Sequence, residues 1–115
     1  MKPLTHPHRD ELSIEAVLDA MANPIRLRII ERLADGEELT CSTVLPEVTP
    51  STASRHWHVL REAGILFARR EGRIVLHQLR RDDLDARFPG LLDSVLRAVR
   101  TAPSAVSGGR PAGRP

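Results

Sequence analysis

The chain has 115 residues, 41% hydrophobic and 28% charged, with a formal net charge of +2, five histidines, one cysteine and one tryptophan. That length suits one folded unit with its own core and is short for two, and the lone Cys41 excludes both an internal disulfide and a thiolate metal cage within one chain. No run of about 18 apolar residues offers a membrane span and the opening MKPLTHPHRD has no signal-peptide core, so a cytoplasmic protein without membrane contact is expected.

Charge is spread unevenly: residues 1–50 carry five basic and nine acidic side chains, residues 51–80 six and two, residues 81–115 six and four. The middle of the chain is therefore the basic part. All of its basic residues are arginines, whose planar fork suits phosphates and guanine edges, although a GC-rich genome gives the same bias.

A polar, Pro-containing leader over residues 1–9 is expected to be flexible. DELSIEAVLDAM then sets Ile14, Val17, Leu18 and Met21 at helical spacing, which predicts a first helix over roughly residues 10–22. Asn23 before Pro24 is a cap followed by proline at the first helical position. Ile25, Ile29, Ile30 and Leu33 carry that second helix towards Gly36. Thr40 opens a short helix that Pro46 stops. Thr49–Pro50 repeats the cap-plus-proline signal and begins STASRHWHVLREAG, which Gly64 ends. At about 100° per residue this helix gathers Ala53, Trp57, Leu60 and Gly64 on one side and Ser51, Arg55, His58 and Glu62 on the other, with Thr52, His56 and Val59 on a flank.

From Ile65 the period changes. ILFARR and RIVLHQL read as two strands about a Glu71–Gly72 turn, with Arg69, Arg70 and Arg73 near the tip. RRDDLDARFPGLLDSVLRAVR follows as one C-terminal helix, or two joined near Pro89 and Gly90, with a stripe of Leu91, Leu92, Val95, Leu96 and Val99. The last segment, 101–115, is Pro/Gly/Ser-rich and reads as a disordered tail, leaving residues 10–100 as the domain.

Short helix, turn, polar-faced helix and basic hairpin, in that order, define a mainly α fold with a β-hairpin wing: a winged helix-turn-helix. Its second helix enters the major groove and its wing touches backbone or minor groove, so double-stranded DNA is the expected partner. Ser51, Thr52, Ser54 and Arg55, with His56 and His58 beside them, are the candidates for base edges and phosphates; Arg69, Arg70 and Arg73 are the candidates for flanking phosphates. No Gly-rich phosphate loop, no HExxH and no nucleophile beside a base suggests an enzyme.

Two segments carry a family resemblance. ANPIRLRIIERLADGEELTCSTV, then TPSTASRHWHVLREAGIL and the wing ARREGRIVLHQL, resemble the ArsR family of bacterial winged-helix repressors over roughly residues 12–98. The resemblance implies a homodimer built from the first and last helices, a recognition helix in the major groove, and repression relieved by an inducer. The matching DNA-reading positions are Ser51, Thr52, Ser54, Arg55 and His56, with Arg70 and Arg73 on the wing. Where metal-sensing members carry Cys-x-Cys, this chain has Thr40-Cys41-Ser42, and the region 82–96 that would hold the family's other site supplies carboxylates and no histidine. No metal and no cofactor is expected, and the inducer is unknown.

Individual residues have plainer readings as well. Trp57 lies with Ala53 and Leu60 and belongs to the core, where its indole N–H needs a partner. Cys41 reads as an inert, mostly buried thiol, with a redox role between subunits as the other possibility. His6 and His8 flank Pro7 in a solvated arm. His56 and His58 point in different directions and make no metal pair; DNA contact, or for His56 a helix-stabilising hydrogen bond, is the better use, and His77 is structural. Leu12 and Val17 with Leu91, Leu92, Val95, Leu96 and Val99 offer more apolar surface than one small domain needs, which favours a dimer. The alternative from another class is a winged-helix module that binds a protein and touches DNA weakly or not at all.

Overall fold

A computed structural model of the protein describes residues 2–36, 40 and 48–101. The short helix expected after Thr40, Cys41 within it, and the tail beyond Thr101 lie outside the described residues. Chain order is β1 (Lys2–Pro3), a 3-10 turn (Arg9–Glu11), α1 (Ile14–Met21), α2 (Pro24–Leu33), α3 (Pro50–Glu62), β2 (Leu66–Glu71), β3 (Ile74–Leu79), α4 (Arg81–Arg87) and α5 (Leu91–Thr101).

The helix starts follow from side chains that satisfy orphan amides. Ser13 Oγ accepts from the Ala16 N–H at 3.1 Å, Asn23 Oδ1 from Ile25 and Arg26 at 2.9 and 3.1 Å, and Thr49 Oγ1 from Thr52 at 3.3 Å. The Ser13 cap explains a difference from the sequence reading. The first helix begins at Ile14, not near residue 10, because Ser13 has extended backbone and the residues before it form a separate 3-10 turn. At the other end of the chain, Phe88 leaves helical geometry and Gly90 has φ of +84°, so the C-terminal segment is two helices.

The core is one cluster. Val17, Ala20 and Met21 of α1, Ile29, Ile30 and Leu33 of α2, and Ala53, Trp57 and Leu60 of α3 meet Ile65 and Leu66, Leu84 of α4 and Leu92 and Leu96 of α5. Each fully buried Leu or Ile contributes about 1.5–3 kcal/mol relative to exposure. Gly64 ends α3 at φ +85°, and a Cβ there would collide with the side chain of Leu12, so both conformation and space demand glycine.

β2 and β3 pair antiparallel from Leu66↔Leu79 to Glu71↔Ile74. The turn is therefore Gly72–Arg73, one residue later than expected; Gly72 has φ of +64° and Arg73 does not share it, as a type II′ hairpin requires. The leader departs further from expectation. In place of a flexible arm, its start is a third strand, β1, on the free edge of β2, with Lys2 opposite Arg70 and Pro3 opposite Arg69. Pro3 fits because its neighbour Leu4 makes the hydrogen bond to β2, so the missing proline N–H falls at a position that faces away from the ladder.

Candidate nucleic-acid interface

Helix α3 has two unlike faces. Ser51, Thr52, Ser54, Arg55 and His58 are exposed; Ala53, His56, Trp57 and Leu60 are buried. The first-turn hydroxyls cluster at the cap, with Thr49 Oγ1 3.0 Å from Thr52 Oγ1 and 3.5 Å from Ser51 Oγ. His58 Nδ1 lies 3.4 Å from an Arg61 nitrogen and still opens to solvent. Among the described residues, no ion pair engages Arg55. The row of hydroxyls and one guanidinium is chemistry suited to phosphates and base edges.

His56 departs from the DNA-contact candidates and takes the other use expected of it, a hydrogen bond that stabilises the helix. It is 8% exposed and turned inward, with Nδ1 3.3 Å from a guanidinium nitrogen of Arg26. Arginine only donates, so Nδ1 accepts and the ring is neutral with its proton on Nε2. Burial first, then the charges of Arg26 and Arg55, hold the His56 pKa below its ordinary 6.5. In this position His56 does not reach a groove; it seats the helix.

Arg26 is the residue that the sequence reading missed. Its Nε donates to the Ala20 carbonyl at 2.6 Å and another nitrogen reaches the Asp19 carbonyl at 3.4 Å, while the third group meets His56. One side chain from α2 thus satisfies the Ala20 carbonyl at the end of α1, adds a second donor to the Asp19 carbonyl that the Ala22 N–H already reaches, and holds α3. A single arginine on an amphipathic helix ordinarily reads as a solvated charge. The available signal was that NPIR and SRHWH, the two segments that carry the family resemblance, contain Arg26 and His56.

Trp57 is 2% exposed, as its place beside Ala53 and Leu60 implied, and its ring stacks on buried His77 with centroids 3.8 Å apart and planes at 13°. Its Nε1–H finds no acceptor among the described residues, contrary to expectation. The stack joins the inner face of α3 to β3 and fixes the recognition helix relative to the wing.

On the wing, the strand pairing sorts the arginines. Leu66, Ala68 and Arg70 share one face with Val75, His77 and Leu79; Phe67, Arg69 and Glu71 share the other with Ile74 and Leu76. Arg70 is exposed at the end of the face that packs on α3, and Arg73 is exposed in the turn. Arg69 is mostly covered, and its Nε donates to Glu71 at 3.0 Å. Its charge is answered within the protein, so it leaves the set of free phosphate contacts.

The expected dimer residues divide as well. Leu12, Val17, Leu92 and Leu96 are 2%, 0%, 1% and 3% exposed and belong to the core of this chain, so they offer no surface. Leu91, Val95 and Val99 are half-buried on α5, and α1 exposes Ile14 and Leu18, which the sequence reading had not assigned to an interface. No helix among the described residues is long and apolar enough to cross a membrane, and no group of three or more His, Cys, Asp or Glu side chains among them is arranged to hold a metal.

A capped helix with a polar outer face, seated on a core and followed by an arginine-bearing hairpin, is the winged helix-turn-helix arrangement of DNA-binding regulators. Residues 21–66 match the helix-turn-helix domain family, and an uncharacterized HTH-type transcriptional regulator of Bacillus subtilis, YceK, is 32% identical over 95 residues, covering 80% of this chain and 95% of that one. The chain belongs to the HTH-type transcriptional regulators, proteins that bind DNA and are not enzymes. Among solved structures it is similar to reduced HlyU from Vibrio cholerae (TM-score 0.59, 28% identity, 72% of this chain and 84% of that one). It is also similar to a possible transcriptional regulator for arsenical resistance (TM-score 0.56, 30% identity, 76% of this chain and 96% of that one), in keeping with the ArsR resemblance of its two motifs.

Proposed function

We propose that the protein is a dimeric, sequence-specific repressor of ArsR type, with α3 in the major groove and the wing on flanking backbone. The observation that carries this reading is the contrast within α3. Ser51, Thr52, Ser54 and Arg55 stand in solvent while Ala53 among them and His56, Trp57 and Leu60 after them are locked to the core. A rigid helix with an exposed polar face is preorganised for a groove, and binding then orders few side chains. Arg55 with the hydroxyls of the first turn reads bases; His58 at the flank and Arg70 and Arg73 on the wing neutralise phosphates. One Cys41 per chain leaves thiolate coordination of a metalloid within a subunit without ligands, so the inducer is of another kind.

Exposed Ile14 and Leu18 on α1, with Leu91, Val95 and Val99 on α5, supply the apolar surface for a second copy. A two-fold dimer reads a palindrome with half-site centres about 34 Å apart. The test is fluorescence anisotropy with the fragment upstream of the protein's own gene, in excess nonspecific DNA and over a salt series. Tight binding that resists the competitor and falls steeply with salt is expected. Equal affinity for random DNA sinks the specificity, and sedimentation showing Leu18→Glu to have the same mass as the parent sinks this dimer surface.

A further inference from the structure

The N-terminal segment joins the sheet through a side chain placed where a backbone group belongs. The register Lys2↔Arg70, Pro3↔Arg69 sets Leu4 opposite Ala68. In a hydrogen-bonded antiparallel pair the two residues exchange both N–H···O bonds. Here the Leu4 N–H donates to the Ala68 carbonyl at 3.0 Å, but the Ala68 N–H donates to His6 Nε2 at 2.8 Å. The imidazole thus takes the place of the Leu4 carbonyl as the acceptor for Ala68, an insert in the ladder; hydrogen bonding to the Leu4 backbone pulls its pKa up, against burial and the nearby arginines. Stacking on Phe67, with centroids 4.7 Å apart and planes at 18°, fixes its orientation. Directly afterwards, Arg80 at the start of α4 donates to the Pro7 carbonyl at 2.8 Å and holds the chain on its way to the 3-10 turn.

An imidazole that accepts at Nε2 is neutral and carries its proton on Nδ1. A second proton turns the acceptor into a donor that faces the Ala68 N–H, and the bond is lost. The nearby charges favour the neutral form: Arg80 from the start of α4 and Arg61 from α3 are cations, and of the other ionisable side chains lining the cleft beside the ring, His8, Arg9, Arg81, Asp82 and Asp83, Asp83 is bonded to Arg9 and Arg80. Burial first, then Arg80 and Arg61, hold the His6 pKa below 6.5.

We infer that His6 is a positioning residue of the wing, whose neutral ring fastens residues 2–4 to β2 as a third strand and lets that strand go on acidification. A hairpin alone is marginal, and a third strand stiffens it. Arg70 lies two residues beyond Ala68, with its backbone opposite Lys2, so the strap braces the base from which the wing arginines project. The effect on DNA affinity rests on the function proposed above; the fastening of the strand does not.

The experiment compares the full chain with His6→Gln, whose amide oxygen accepts the same N–H without titrating, and with His6→Phe, which keeps the stack and has no acceptor. Protection of the Ala68 amide from hydrogen exchange is read by NMR at about pH 7.5 and about pH 5, on either side of the imidazole range. Between the two pH values the parent is expected to lose several-fold more protection than His6→Gln, because only the parent's acceptor takes up a proton. His6→Phe is expected to be unprotected at both. Identical pH profiles for the parent and His6→Gln overturn the inference, and that pair decides it even if His6→Phe does not fold. Affinity for the upstream fragment is measured in parallel and should fall with acid more in the parent than in His6→Gln. If no form binds that fragment, the DNA reading fails while the Ala68 comparison still decides the role of His6.

Discussion

On the inner face of α3, His56 and Trp57 are each answered by another element, Arg26 of α2 and His77 of β3, whereas on the outer face Arg55 stands exposed and His58 meets only Arg61, a residue of its own helix. The two faces alternate within four consecutive residues. Polar chemistry on the inner face fixes where the helix lies; similar chemistry on the outer face stays in solvent, where the function proposed above places DNA. Residue type therefore does not identify a reading residue in this helix. What identifies it is whether the fold has already used its hydrogen bonds.

The sharpest break in that comparison comes from Trp57→Ala. Removing a buried ring that links α3 to β3 is expected to cost about 3–5 kcal/mol of stability, while Ser54→Ala on the outer face stays within about 0.5 kcal/mol. Urea titrations of the two variants check this, and equal losses would erase the difference between the faces. Arg26→Met comes next. It keeps much of the side-chain volume, strands the Ala20 carbonyl and removes the donor to His56, and is expected to cost about 1–3 kcal/mol. If Arg26→Met unfolds at the same urea concentration as the parent, the three-way link is decorative.

Arg55→Ala tests the outer face. Stability is expected to hold within about 0.5 kcal/mol, while discrimination against altered half-sites falls by about 1–3 kcal/mol. Arg73→Ala, in the wing turn, should weaken every sequence alike and lower the salt slope by about one. Matched binding assays on the upstream fragment and its base variants separate the two. The same pattern from both arginines refutes the division between reading and anchoring.

Much of this contrast was legible in the sequence, and its limits have physical causes. Cap-plus-proline signals at Asn23–Pro24 and Thr49–Pro50 located α2 and α3 because capping is local chemistry. The period-2 run after Ile65 found the wing for the same reason. For His56 the choice between a DNA contact and a helix-stabilising hydrogen bond stayed open because a helical projection placed it on a flank, and only the tertiary position of Arg26, thirty residues away, turns that flank inward. The leader was misread because its attachment is non-local. Nothing near MKPLTHPH says that β2 has a free edge or that Phe67 and the Ala68 amide wait for His6. Leu12, Leu92 and Leu96 looked like dimer residues because an apolar stripe does not say which of its members the chain itself covers.

The smallest effect expected is a pH dependence, and its sign follows from which state holds the proton. In the unfolded chain His56 titrates near 6.5; in the folded protein burial and then Arg26 and Arg55 keep its pKa lower. Unfolding therefore takes up a proton below 6.5. The stability that neutral His56 contributes is complete above that pH and is lost as pH falls through its lowered folded value. His6 acts in the same direction. Asp83 does not blur this window. Burial opposes its charge, but hydrogen bonds from Arg9 and Arg80 outweigh burial and hold its pKa below 3.8, so its contribution is lost only further into acid. His56→Asn keeps an acceptor near the position of Nδ1 and does not titrate. Urea titrations at pH steps between about 7.5 and about 5 should give a shallower loss for this variant than for the parent. Parallel curves would mean that His56 takes its proton while folded, and the inner face of α3 would then be less firmly closed than the outer one is open.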